Sequence, residues 1–498
     1  MQVMESGRPI TALAKEAIYP GLPPYQSFHN TIDNALTGTK TTRHTLDPST
    51  ESPLPAVPVS TQDDVDDAVR AGQEAFSAWR ERSYDERAEY LLRFADAIEA
   101  NLDGFTELLG REAGKPMQAA AMEVGFALQH LRETAKLRIP EAVVEDSDER
   151  TASVRYVPLG VGVGIIPWNF PFLLGIGKLD AALLAGNTFI WKPSPFSPYT
   201  ALKLGELGTK IFPPGVLQVL SGDDALGPLL TSHPSVAKVS FTGSTATGKK
   251  VMASCAATLK RLTLELGGND AAIVWPDVDL ARVVPKLGAL AFLHSGQICM
   301  NIKRLYVHEA IYDAFLAQLV AFVKTLKIAG AGDAEAFTGP VQNGAQYARV
   351  RDLYGEVAKQ NWSVALGGLD STSATGERKG FFLPPTIIDN PPDESRIVVE
   401  EPFGPIVPLL KWSDEKDVVR RANDSMMGLG ASVWSADVER AERMARRLEA
   451  GNVWVNSHFE LAPHVPFGGH KWSGIGLDWG VEGMKGWCNA QAVWVRKL

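Results

Sequence analysis

The chain has 498 residues, 45% hydrophobic and 21% charged, an ordinary globular composition and long enough for two or three substructures. Its net charge is −9, from 49 basic and 58 acidic residues, with no basic stripe or polybasic tail, which argues against nucleic acid and anionic membrane as partners. Three cysteines, Cys255, Cys299 and Cys488, make no disulfide framework; with no Cys-x-x-Cys pair or histidine grouping beside them they suggest no zinc site, and a reducing, cytoplasmic setting is expected.

The opening "MQVMESGRPI" lacks the apolar core of a secretory signal, and residues 1 to about 55, rich in Pro, Thr and Ser, read as an arm or loop. Thr61 and Asp64 form a capping pattern for a helix whose Val65, Ala68, Val69, Phe76 and Trp79 share one face, with Gly72 a weak spot. More amphipathic helix is expected to about residue 136, followed by "ERTASVRYVPLG", which alternates like an exposed strand. Residues Val157 to Gly177 carry no charge, but Pro158, Pro167, Pro171, Asn169 and five glycines would break a lipid-exposed helix. A buried strand, a loop and a helix start fit that stretch better.

From "GVGII" onward, strand and helix signals alternate through "NTFIWK", "SPYTALKLGELG", "GVLQVL" and "AKVSFTG". That is the pattern of a parallel sheet with helical crossovers, whose ligands bind beyond the carboxyl ends of the strands. After "LTLELGG" it begins again with "AAIVW", a helix over about 279–293 and "RLYVH", a second α/β unit. The tail "CNAQAVWVRKL" reads as a strand with no local partner.

Six short motifs are candidates for chemistry. In "IIPWNFPF", Asn169 fits either a turn former or an oxyanion donor held rigid between two prolines. "FTGSTATGKK" begins like a P-loop, but Lys250 stands where a magnesium-binding Ser or Thr is required, leaving a phosphate cradle or an ordinary tight turn. Glu265 of "LELGGND" fits a solvated edge carboxylate or a general base with a raised pKa. Cys299 of "FLHSGQICM" is a core residue or a nucleophile. "EEPFGP" and "PFGGHKWSGIG" are Gly/Pro-rich loops, and His458 and His464 near the latter read as surface residues.

Together and in this order, with "WKPS" at 191–194, these motifs closely resemble the aldehyde dehydrogenase superfamily from about residue 55 to the C-terminus. The resemblance implies an α/β fold of two Rossmann-type domains and a small β oligomerisation element. The boundaries expected are 1–55 for the arm, 56–136 and 158–264 for the dinucleotide-binding domain, 265–465 for the catalytic domain, and 137–157 with 480–498 for the oligomerisation element. It implies oxidation of an aldehyde to its acid with NAD, NADP being the second candidate, by a homodimer or homotetramer. Cys299 would be the nucleophile, forming a thiohemiacetal and then a thioester. Asn169 and the Cys299 backbone N–H would hold the oxyanion, and Glu265 would activate the hydrolytic water. Lys178 with Asp478 would pass protons, although a helix-surface lysine is the equal alternative.

The cofactor would touch Ile166, Pro167, Trp168, Lys192, Ser194, Pro195, Phe241, Gly243, Ser244, Thr247, Leu266, Glu401 and Phe403. Pro195 departs from the pattern: NAD-dependent relatives often carry a glutamate there that repels a 2′-phosphate, and no arginine nearby in the sequence invites one. The aldehyde would be lined by Phe170, Leu173, Leu293, Ile298, Met300, Phe459, Leu461 and Phe467, with Gly177 widening the passage. With no basic residue among them, a neutral, medium-to-large aliphatic or aromatic aldehyde is expected. A CoA-acylating relative would not need Glu265, and a non-catalytic one would tolerate loss of Cys299, Asn169 or Glu265.

Overall fold

The structure, a computed structural model, describes residues 26–369 and 379–497. In the first large sheet, parallel strands Val161–Ile165, Thr188–Lys192, Leu217–Val219, Val236–Thr242 and Arg261–Glu265 lie side by side. The strands on either side of Val161–Ile165 are Thr188–Lys192 and Val236–Thr242, so the winding reverses there. In open α/β sheets the crevice beyond such a reversal holds ligand. Here it is bordered by Pro167 to Asn169 and by Gly243 and Ser244. Val161–Ile165 and Thr188–Lys192 are buried at every position, which explains their continuous apolar runs rather than alternation.

The crossover helix Leu173–Ala185 has no side-chain cap of its own; Glu123 accepts the Phe172 and Leu173 N–H groups at 2.9 and 3.1 Å. Glu112 serves helix Tyr199–Gly208 in the same way, accepting from Tyr199 and Thr200 N–H at 2.8 and 3.1 Å. Both carboxylates are buried, and Lys115 pairs with Glu123. An acid at a helix N-terminus meets orphan N–H groups and the positive end of the dipole. These glutamates therefore lock the first helices onto the sheet.

The second sheet has seven strands, in the order Ser363–Leu366, Thr386–Asp389, Ile406–Trp412, Ile302–His308, Asp270–Val274, Gly430–Trp434 and Asn452–Val455. All neighbours are parallel except the first pair. A third, antiparallel sheet joins Ala142–Asp146, Arg150–Pro158 and the tail strand Cys488–Arg496, which thus finds its partner far away in sequence. The Thr61–Asp64 capping box forms as expected.

Residues 1–25 of the expected arm lie outside the described residues. The rest is not all loop: Asn30–Ile32 and Ala35–Thr37 form a hairpin on the edge strand Leu217–Val219. Its turn is Asp33-Asn34, with φ of 51° and 59°, a two-residue signal obscured by strands only three residues long. Among the described residues, no helix is long and apolar enough to cross a membrane.

Two glycines test the packing. A Cβ on Gly175 would stand 1.7 Å from the buried Trp191 ring, whereas one on Gly125 would meet nothing within 4 Å. Gly175→Ala should cost about 1–3 kcal/mol through overpacking. Gly125→Ala should gain up to about 1 kcal/mol from helix propensity. Thermal unfolding followed by circular dichroism should move in opposite directions for the two variants.

Candidate active site

Helix Leu280–Phe292 of the second α/β unit ends in a tight turn in which His294, Ser295 and Gly296 all take positive φ, of 50°, 55° and 72°. Ser295 Oγ anchors the turn on the Gly339 carbonyl at 2.5 Å and on Thr338 Oγ1 at 2.8 Å. Gly296 is required: a Cβ there would lie 2.1 Å from the Gly404 carbonyl oxygen. The chain then delivers Cys299, half-buried, with its carbonyl held by Lys303 Nζ. His458, expected at the surface, is instead buried beneath this loop, 2.8 Å from the Met300 carbonyl through Nε2 and 2.9 Å from Ser432 Oγ through Nδ1. Burial lowers its pKa to about 4, so the ring is neutral.

From the first sheet come Asn169 and Glu265. Asn169 Nδ2 donates to the Gln297 carbonyl at 2.9 Å, leaving its second N–H. Glu265 ends strand Arg261–Glu265, and both of its carboxylate oxygens are buried with no hydrogen-bond partner. Burial pushes its pKa up to about 7; Lys178 pulls downward and Asp478 adds to the rise. Burial, together with the Glu265 carboxylate beside it, raises the Cys299 thiol well above its ordinary value, against the pull of Lys303. The resting group is therefore a thiol, with a carboxyl of raised basicity beside it.

Two cavities meet at Cys299 and Asn169. One, of about 410 Å³, is mostly apolar and also reaches Glu265. The other, of about 130 Å³, opens at the reversal point of the first sheet between Trp168, Ser244 and Glu401. It suits the nicotinamide end of a dinucleotide on two grounds. Thr242 Oγ1 borders it, buried without a partner. Gly267 also keeps it open, since a Cβ would fall 2.4 Å from Glu401 Oε2. Helix Thr245–Ala256, capped by Ser244, points its N-terminus to the same cleft.

Of the residues expected around the aldehyde, Phe170, Leu173, Ile298, Met300, Phe459, Leu461 and Phe467 line the larger cavity. Gly177 and Leu293 do not. Trp479 fills the space above Gly177, its Nε1 2.6 Å from where a Cβ would stand, so the glycine does not widen the passage. Leu293 instead packs behind Ile298 and Phe170 in the apolar cluster. The sequence reading missed Phe126, Gln129, His130, Leu174 and Trp479. The first three share a face of helix Met117–Thr134, a spacing visible in sequence, but nothing there shows what the face meets.

Lys178 is no surface residue: it is buried, 2.5 Å from Asp478 Oδ2 and 2.9 Å from Ser240 Oγ. Among the expected cofactor residues, Pro167, Trp168, Gly243, Ser244, Leu266, Glu401 and Phe403 border the smaller cavity. Ile166, Lys192, Ser194, Pro195, Phe241 and Thr247 lie outside it. Phe241 is packed beneath Gly243, and Thr247 braces Ser244 at 3.0 Å. Lys192 ends its strand buried, its pKa lowered to about 8 by desolvation. An arginine does stand near Pro195 after all: Arg43 Nη1 donates to the Pro195 carbonyl from a strand far back in the sequence.

The sequence model of the aldehyde dehydrogenase family matches residues 36–493. The aldehyde dehydrogenase LUC3 of a Fusarium species is 42% identical over 95% of this chain and 100% of its own. The NAD+ complex of an aldehyde dehydrogenase from Bacillus cereus superposes with a TM-score of 0.92 at 31% identity, covering 95% of this chain and 99% of that one. A variant of aldehyde dehydrogenase C from Pseudomonas syringae, in complex with NAD+ and octanal, gives 0.90 at 30% identity over 95% and 97%.

Glu265 has a stability signature. Its folded pKa, about 7, lies above the ordinary 4.5, so between those values the folded chain holds a proton that the unfolded chain releases. Stability should fall as pH rises through that window and then level off. Glu265→Gln should remove this loss, gaining up to roughly 3 kcal/mol near pH 8 and nothing near pH 4.5. Chemical denaturation at both pH values checks this.

Proposed function

We propose, for a chain that belongs to the aldehyde dehydrogenase family, that Cys299 is its nucleophile, Glu265 its general base and Asn169 its oxyanion donor. Membership makes the protein an NAD(P)-dependent aldehyde dehydrogenase. The assignment of roles is carried by the meeting of an apolar cavity and a dinucleotide-shaped cleft at Cys299 and Asn169.

Glu265 takes the Cys299 proton, and the thiolate adds to the aldehyde carbon to form a thiohemiacetal. The new oxyanion is met by the free Asn169 N–H and the Cys299 backbone N–H. A nicotinamide held by Trp168, Glu401 and Phe403 would supply the hydride acceptor, and loss of that hydride from the thiohemiacetal leaves a thioester on Cys299. Glu265 then takes a proton from water, whose oxygen attacks the thioester carbon. The C–S bond breaks, releasing the acid and restoring Cys299. Lys178 bonds Asp478 and Ser240, and this cluster, near enough for its charges to shift the Glu265 pKa, would carry the first proton away before water is activated. A CoA-acylating enzyme has no use for this base, so hydrolysis is preferred.

The cleft residues Pro167, Trp168, Gly243, Ser244, Leu266, Glu401 and Phe403 would hold the nicotinamide half, with Lys192 and Pro195 toward the adenosine. NAD is the first choice. NADP is second, because Pro195 carries no carboxylate and Arg43 lies beside it. The 410 Å³ cavity suits a medium-to-large aldehyde. No Lys or Arg lines it, whereas Glu265, Glu460 and Asp478 do, which favours a neutral one. The exposed Val143, Val144, Trp494 and Val495 of the small sheet support pairing with a second copy, in a dimer or tetramer. Three free cysteines support a cytoplasmic setting.

Nicotinamide reduction should disappear in Cys299→Ala with either cofactor. Asn169→Ala should lower kcat by about 100- to 1000-fold. Glu265→Gln should slow the first turnover, having no base for the Cys299 thiol, and should lose steady-state turnover as well. Comparable kcat/KM on hexanal and succinic semialdehyde would sink the neutral-substrate reading.

A further inference from the structure

The larger cavity has a buried polar group in its wall that the proposed chemistry leaves idle. His130, on helix Met117–Thr134, lines it and is 3% exposed. Its Nδ1 lies 2.6 Å from Asp180 Oδ2 and 3.2 Å from Thr134 Oγ1, and Asp180 is fully buried. A carboxylate can only accept, so Nδ1 carries a proton, and in the imidazole tautomer that this fixes the lone pair lies at Nε2. That nitrogen is buried with no partner. An orphaned acceptor in a packed wall asks for an explanation, and a ligand is the natural one beside a substrate cavity.

A donor stands next to it. The Trp479 indole also lines the cavity and sits 5.1 Å from the His130 ring, tilted by 59°. Both rings converge over Gly177, where a Cβ would be 2.6 Å from Trp479 Nε1 and 3.4 Å from His130 Cε1. The glycine is therefore what lets the indole and the imidazole pack together at this wall. Around them the wall is Phe126, Phe170, Leu173, Leu174, Phe459 and Leu461.

A hydroxyl is the small neutral group that accepts and donates at a single atom. A methylene would leave both nitrogens unmet, and an ether or ketone oxygen would satisfy only the indole. A carboxylate would bring charge towards Asp180 and Asp478. We propose that His130 and Trp479 form a hydroxyl-recognising subsite, and that the preferred substrate is an otherwise apolar aldehyde bearing one hydroxyl away from the reacting carbon. This rests on the reading that the cavity receives the aldehyde. Asp180 is a positioning residue, fixing which imidazole nitrogen carries the proton.

The test follows NAD reduction on straight-chain alkanals and on ω-hydroxyalkanals of the same lengths. At one or more lengths the hydroxyalkanal should exceed its alkanal in kcat/KM by about tenfold, mainly through KM. His130→Leu should erase that preference, lowering kcat/KM for the hydroxyalkanals far more than for the alkanals. The double variant His130→Leu/Asp180→Asn should do the same without stranding a buried carboxylate. Wild-type preference for the plain alkanal at every length overturns the subsite without any variant. Equal loss on both series in the variants marks a packing role and overturns it too. In either case Cys299-dependent alkanal turnover leaves the catalytic reading standing. Absence of turnover on both series removes that reading and the subsite with it.

Discussion

The hydrogen bond from Asn169 Nδ2 to the Gln297 carbonyl fixes the site, because its two ends belong to different sheets. Gln297 is itself fully buried and fully engaged. Its Nε2 donates to the His294 carbonyl at 2.9 Å, and its Oε1 accepts from Gln342 N–H at 2.8 Å. Gln342 in turn donates to the carbonyls of Glu112 and Phe196 at 2.8 and 2.9 Å. A chain of buried amides thus runs from the first helices to the Cys299 loop. Each amide loses its partners if the sheets slide, so the junction has little freedom. Reacting groups drawn from two units need that rigidity to meet within a few tenths of an ångström.

Against this paired framework, the unpaired groups are informative. Glu112 and Glu123 are as buried as Glu265, yet they take up helix N–H groups. Glu265, Thr242 Oγ1 and His130 Nε2 have no partners, and all three residues border the two cavities that meet at Cys299. Asp270 is also buried with both oxygens bare, yet it borders neither cavity, so a missing partner points to a ligand only where one of these cavities reaches it. His458 belongs to the framework, since both of its nitrogens are occupied beneath the Cys299 loop.

The parallel strands and the residues at their ends were legible in the sequence, since buried strands write continuous apolar runs and ligand residues follow them. Contacts between distant segments were not. Lys178, paired with Asp478 by resemblance alone, fits a surface lysine equally well in sequence, because nothing local shows it buried against Asp478 and Ser240. Arg43 could not be set beside Pro195 for the same reason. Gly177 was read as empty space because nothing in its own neighbourhood announces Trp479. The edge hairpin at Asn30–Thr37 escaped because its strands are too short to show a period. The roles assigned to Cys299, Glu265 and Asn169 came from motif order, and geometry adds only that these three side chains share one cavity.

The pairing of the tail strand with Arg150–Pro158 also bears on the order of events during synthesis. Arg155 and Gln491, joined across that ladder, are 336 positions apart. At roughly 5–20 residues per second, about 15–70 s separate their translation. For that interval Arg150–Pro158 has one neighbour instead of two, and its outer N–H and C=O groups stand open on a nascent chain whose first sheet can already form. A strand edge left waiting is prone to capture by another chain. The strand that closes it, Cys488–Arg496, is therefore made long after the one it covers.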